Sequence, residues 1–139
     1  MSEDVPARIL VADNDEDILA LVAFRLERAG YVVLLARDGD EALARARAEL
    51  PDLCVLDVRM PGLTGIEVTQ RLRADEATRR LPVILLTARA QEADVARGYA
   101  AGANAYVRKP FDQKELRAQV ETLLAESDGA RRDGDGRVG

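Results

Sequence analysis

Hydrophobic residues fall along this chain in five short blocks separated by five longer amphipathic stretches. The blocks are 8–12 (RILVA), 31–36 (YVVLLA), 53–58 (LCVLDV), 82–87 (PVILLT) and 105–108 (AYVR). Each is rich in Val, Ile and Leu and barely alternates with polar residues, the pattern of strands covered on both faces. The stretches between them have helical spacing. Residues 15–29 set Ile18, Val22 and Leu26 on one face, 39–50 set Leu43, Ala46 and Leu50, and 64–74 set Ile66, Val68 and Leu72. The fourth stretch, 91–101, is weak, with only Val95 and Tyr99 as large apolar residues. The fifth, 112–126, carries Leu116, Val120, Leu123 and Leu124 and opens on Asp112-x-x-Glu115, an acidic variant of the capping box. Gly30 and Gly102 stand where the first and fourth helices should stop, as glycines just past a helix end do.

Strand and helix alternating five times imply an α/β fold with a parallel sheet and helices on both faces. The arrangement expected at this length is the doubly wound, flavodoxin-like one: five parallel strands in the order 2-1-3-4-5 with five helices. That order belongs to known folds of the class and is not given by the spacing. The length of 139 residues suits one domain, expected over 1–126. Residues 127–139 (SDGARRDGDGRVG) hold a single large apolar residue and are expected to form a flexible tail or the start of a linker.

Composition narrows the chemistry. At 47% hydrophobic and 32% charged, with apolar residues in periodic blocks, the chain is not disordered. No apolar run approaches the ~18 residues of a membrane span, so no membrane partner is expected. One cysteine, Cys54, excludes an internal disulfide and any multi-cysteine zinc site, and its place inside a strand suggests inert packing. The absence of histidine removes Ser-His and Cys-His catalysis and most transition-metal sites. A net charge of −5 argues against direct nucleic-acid binding by this segment. With no secretory signal and no paired cysteines, the cytoplasm is the expected address. The basic side is almost all arginine; the two lysines are Lys109 and Lys114.

In an open α/β sheet, ligands bind beyond the carboxyl ends of the strands. The first block ends in Asp13-Asn14-Asp15, the third carries Asp57 before Val58-Arg59-Met60-Pro61-Gly62, the fourth ends in Thr87-Ala88, and the fifth in Lys109-Pro110. Two carboxylates, a hydroxyl and a lysine should therefore gather at one edge. Neighbouring carboxylates repel unless a hard cation sits between them, and oxygen donors suit Mg2+. A metal, an ammonium and a hydroxyl together hold phosphoryl oxygens, and one carboxylate can then act as nucleophile. An EF-hand is excluded, because Ile18 and Phe24 stand where its glycine and bidentate glutamate belong. Asp15, Glu16 and Asp17 are better read as an acidic helix start, with Asp15 as a cap.

ILVADNDEDI, LDVRMPGLTGIEV, PVILLTA and GANAYVRKPF resemble, in order and spacing, the motifs of the response-regulator receiver domain of two-component signalling. The resemblance runs from about Arg8 to Leu124. It implies that Asp57 is a phosphoacceptor forming an aspartyl phosphate, with Mg2+ held by Asp13, Asn14, Asp57 and the backbone carbonyl of Arg59. It also implies that Thr87 and Lys109 bind phosphoryl oxygens, that the Lys109–Pro110 bond is cis, and that Tyr106 is the aromatic that changes rotamer with Thr87 during switching. By the same resemblance the partners are a sensor histidine kinase or phosphotransfer protein on one side and a downstream effector or an output domain on the other. The domain would catalyse its own phosphotransfer and dephosphorylation in a phosphorelay without being an enzyme on a separate substrate. The family usually has two adjacent acids after its first strand, whereas the second here is Asn14, which implies weaker Mg2+ binding. Two other readings stand beside it: a degenerate receiver that only docks partners, and a phosphohydrolase of the haloacid-dehalogenase type using Asp13 and Asp15.

Overall fold

In the computed structural model, which describes residues 5–87, 92–109 and 112–136, the chain alternates strand and helix five times. The elements are β1 (Arg8–Ala12), α1 (Glu16–Arg28), β2 (Val32–Ala36), α2 (Gly39–Glu49), β3 (Leu53–Asp57), α3 (Gly65–Ala74), β4 (Val83–Thr87), α4 (Glu92–Ala101), β5 (Ala105–Arg108) and α5 (Gln113–Gly136). All strand pairs are parallel, in the order β2-β1-β3-β4-β5, as expected.

Every residue of β3 and β4 is buried, which explains why these strands read as apolar runs without visible alternation. The alternation is there, split between two cores. Leu10, Cys54, Leu56, Val83 and Leu85 face Ala42, Leu43 and Ala46 of α2 and Val68 and Leu72 of α3. Ile9, Val11, Val55, Ile84 and Val107 face Leu19, Val22 and Leu26 of α1 and Leu116, Val120 and Leu123 of α5. Cys54 is buried within the first of these cores, and burial pushes its thiol up to about 12, so it packs as an inert apolar group.

Local signals set the helix ends. The Asp15 side chain accepts from the backbone N–H of Asp17 and Ile18, so it caps α1 as expected. Gly30 and Gly102 take positive φ, as their places after α1 and α4 required. The capping box sits at Thr64 and Glu67, which bond reciprocally at the start of α3. At Asp112 the side chain instead accepts from the Lys114 N–H, giving a simple cap. Leu50 departs from its expected core position. It ends α2 in the left-handed region at φ 46° and is 53% exposed, since a residue turned out of the helix no longer follows its face. The last helix runs ten residues past the expected end at Glu126, so residues 127–136, read as a tail, are helical. Among the described residues, no helix is long and apolar enough to cross a membrane.

Candidate functional site

Strand register assembles the site. Ala12 is level with Leu56 across β1 and β3, which sets Asp13 beside Asp57 where the strand order reverses. Asp57 is level with Leu86, and Thr87 with Arg108, which brings Thr87 and Lys109 to the same sheet edge. A cleft of about 310 Å³ opens there, lined by Asp13, Asn14, Asp15, Asp57, Val58, Arg59, Thr87 and Lys109. Six of the residues expected to act on phosphate or metal are therefore together: Asp13, Asn14, Asp57, Arg59, Thr87 and Lys109.

The two carboxylates are nearly removed from solvent, Asp13 at 1% and Asp57 at 6% exposure. Asp13 Oδ1 accepts from the Asp15 backbone N–H at 2.9 Å, which fixes the carboxylate's orientation. Lys109 Nζ donates to Asp13 Oδ2 at 2.8 Å and lies 3.4 Å from Asp57 Oδ1. The Lys109 N–H also bonds the Thr87 carbonyl at 2.7 Å, so the backbone fixes where the lysine stem starts. Burial pushes the Asp57 carboxyl up to about 6; Lys109 pulls it down, and the Asp13 charge raises it further. At neutral pH the group is still mainly ionised. It is a carboxylate kept short of solvation, with one ammonium shared between two acids.

That sharing tests whether a cation belongs here. Two buried carboxylates at adjacent strand ends already draw in the Lys109 ammonium, and with the Asn14 amide the donor set is all oxygen. Such a set fits a hard divalent ion. Asp15 contributes little to it, because its side chain is engaged in capping α1. Among the described residues no group of three or more His, Cys, Asp or Glu converges.

Tyr106 is not in the cleft. Its ring lies on β5 behind the edge, packed against the core that holds Leu85, with its centroid 5.6 Å from that of Tyr99 on α4. Pro110 and Ala88 lie outside the described residues. Sequence reading missed Gly65, which starts α3 against the Asp57 carbonyl so closely that any side chain would collide with it. The glycine immediately before Ile66, the first apolar position of α3, was the available signal.

Comparison with known proteins decides the family, since the response regulator receiver domain model matches residues 9–121. The chain belongs to the response regulator receiver domain family. This receiver domain is 45% identical over 121 residues to the alkaline phosphatase synthesis transcriptional regulatory protein PhoP of Bacillus subtilis, covering 87% of this chain and 50% of that one. It spans about half the length of the curated relatives it matches. Among solved structures, the Vibrio cholerae chemotaxis protein CheY4 superposes with a TM-score of 0.81 at 32% identity, covering 86% of this chain and 99% of that one. The receiver domain of the Pseudomonas aeruginosa sensor histidine kinase PA1611 matches with the same score and identity over 87% of this chain and 99% of that one. That structure has a magnesium ion coordinated in its active site cleft. These matches do not favour the haloacid-dehalogenase reading.

Proposed function

We propose that this receiver domain is phosphorylated on Asp57 in the presence of Mg2+ by a sensor histidine kinase or phosphotransfer protein. The carrying observation is Asp57 itself: a carboxylate at a strand end, 6% exposed, facing a solvent-open cleft with Lys109 Nζ at 3.4 Å. An Asp57 oxygen attacks phosphorus, the P–N bond of the donor phosphohistidine breaks, and the imidazole keeps the electron pair and takes a proton. The chain has no histidine, so the donor must come from another protein or domain. Mg2+, held by Asp13, Asn14, Asp57 and the Arg59 carbonyl, would neutralise charge on the phosphoryl oxygens. Lys109 contributes the ammonium it now shares between the acids, and Thr87 a hydroxyl on the neighbouring strand. Thr87 and Tyr106 then form the switch, and the same cleft hydrolyses the aspartyl phosphate.

The domain occupies residues 1–126, and 127–139 lead out of it. Its output is a downstream effector or an attached output domain, it binds no nucleic acid itself, and it works in the cytoplasm. Incubation with Mg2+ and acetyl phosphate, followed by intact mass, tests the reading. The expected result is a gain of one base-labile phosphoryl group that Asp57→Asn abolishes while the fold stays intact. No gain would leave a docking module, and steady turnover without a lasting adduct would mark a hydrolase.

A further inference from the structure

The loop between β3 and α3, residues 58–64, brings Arg59 to the cleft, and backbone bonds fix its two ends. The Val58 N–H donates to the Leu86 carbonyl at 2.9 Å, and the Gly65 N–H to the Val58 carbonyl at 3.0 Å. What holds the middle of the loop comes from another part of the fold, the first turn of α2.

There the Gly39 N–H donates to the Pro61 carbonyl at 3.3 Å. A Cβ at Gly39 would overlap the Leu63 carbonyl oxygen and lie 2.6 Å from its carbon. Both are backbone atoms, so no change of rotamer could move them aside. One residue further on, the Asp40 carboxylate lies against Gly62, at φ +74°, in the space that a side chain there would need. Three consecutive loop residues, 61–63, therefore meet α2. The fourth, Met60, is buried in the same core as Ala42 and Leu43 of that helix.

The gripping turn is itself braced. Asp38 caps it by accepting from the Glu41 N–H at 2.8 Å, and the Glu41 carboxylate accepts in turn from the Arg37 N–H at 2.9 Å. Gly39 brings no side chain to the helix; what it brings is the close approach of the loop. Residues 38–41 do not line the cleft, yet they hold the segment that does.

We propose that the first turn of α2 is a positioning element for the cation site: it clamps the β3–α3 loop and so fixes where the Arg59 carbonyl stands. Groups that do not touch a metal govern its affinity in this way, by orienting those that do. The clamp rests on the Mg2+ reading for its consequence, but not for its existence in the metal-free fold.

Amide chemical shifts of the metal-free chain and calorimetric titration with Mg2+ test it together. Gly39→Ala drives the loop off α2. It should shift amides beyond the contact itself, at Val58, Arg59 and Gly65, and weaken Mg2+ binding by about ten- to hundredfold. Asp38→Ala loosens the same turn without a collision, should act in the same direction to a smaller degree, and serves if Gly39→Ala does not fold. Asp38→Asn removes the same charge but still caps a helix, so it should bring Mg2+ affinity back to near the wild-type value. Ala46→Gly, about two turns along α2, is a control that should lose stability and keep wild-type Mg2+ affinity. Shifts confined to Gly62 and Leu63, or an Mg2+ affinity unchanged by the displaced loop, overturn the clamp. So do equal losses of affinity in Asp38→Ala and Asp38→Asn, which charge alone would explain, and an equal loss in Ala46→Gly. Failure of the wild type to bind Mg2+ would count against the cation reading, while the shifts at Val58 and Arg59 would still decide the clamp.

Discussion

At the scale of single residues, the cleft is a problem of unshared charge. Asp57 ionises with difficulty because it is buried beside Asp13, and Lys109 relieves only part of that cost. Its folded-state value, about 6, lies above the ordinary carboxylate value of about 3.8, so the native state holds the proton longer than the unfolded chain. Stability contributed by the neutral acid is therefore full at low pH and is lost as pH climbs from ~4 to ~6. Metal-free Asp57→Asn should lack that loss. It should be more stable than wild type by on the order of 1–3 kcal/mol at pH 7.5, with the advantage vanishing near pH 4. Urea titrations at several pH values check this, and a constant difference across the range would contradict it. Asn14→Asp works in the other direction. A further unit charge at ~4 Å is worth on the order of 1–4 kcal/mol to a nearby cation, between the bulk-water and near-surface limits. Mg2+ affinity should rise roughly tenfold or more, while the metal-free protein loses stability through like-charge repulsion. Calorimetric titration reads the first effect and thermal unfolding the second.

At the scale of elements, α4 has a glycine, Gly98, as the one buried position among its described side-chain positions, 95–101. A Cβ at Gly98 would lie 2.5 Å from Tyr106 Cε2 and 2.9 Å from Leu85 Cδ1, so α4 reaches the sheet only because position 98 has no side chain. Gly98→Ala should displace the Tyr106 ring and cost ~1–3 kcal/mol, as overpacking usually does. In a background of Tyr106→Ala, the same change should cost much less. A double-mutant cycle by chemical unfolding measures that coupling, and additive costs would show that the two positions do not meet. The same helix marks where sequence pattern stops informing. The faces of α1, α3 and α5 were legible because Leu26, Leu72 and Leu116 sit at helical spacing and are buried. Strand ends were legible too, since an acid or lysine closing an apolar run stands out. In α4 the periodicity pointed to Val95 and Tyr99, yet the closest approach to Tyr106 and Leu85 is at Gly98, which no hydrophobic pattern can show. Arg73, which donates to the Leu81 and Gly102 carbonyls, was hidden for a related reason: an arginine late in a helix looks like a solvated charge until those partners, eight to 29 residues further on, are in place. Lys109 was expected at the site, but its bond to Asp13 across 96 residues depends on sheet order, not on spacing.

At the scale of the whole molecule, a rigid part and a loosely held part meet at the cleft. β3 and β4 are buried throughout and β1 nearly so, close-packed on both faces, and such a core does not deform gradually. The acids belong to this rigid part. Thr87 and Lys109 reach the cleft from β4 and β5, the two strands that flank the thinly anchored α4 in sequence. A phosphoryl group on Asp57 would add negative charge beside both, and only groups that contact it differently in two states can convert that charge into a shift. Under the proposed function Thr87 would be such a group, with a hydroxyl able to donate to a phosphoryl oxygen. Tyr106, seated on Gly98, is the neighbour whose packing must change if α4 moves. Beryllofluoride with Mg2+ should therefore alter hydrogen-exchange protection from Thr87 to Arg108 in the wild type, and leave β1 and β3 unchanged. Thr87→Ala should still gain a phosphoryl group on Asp57 by intact mass, if more slowly, because acceptor and acids are untouched. In that variant the stretch from Thr87 to Arg108 should no longer respond. A wild-type response confined to the surroundings of Asp57 would show that the charge stays local. A Thr87→Ala response equal to the wild type would place the coupling in Lys109 alone, since it is the other side chain from the α4-flanking strands that lines the cleft.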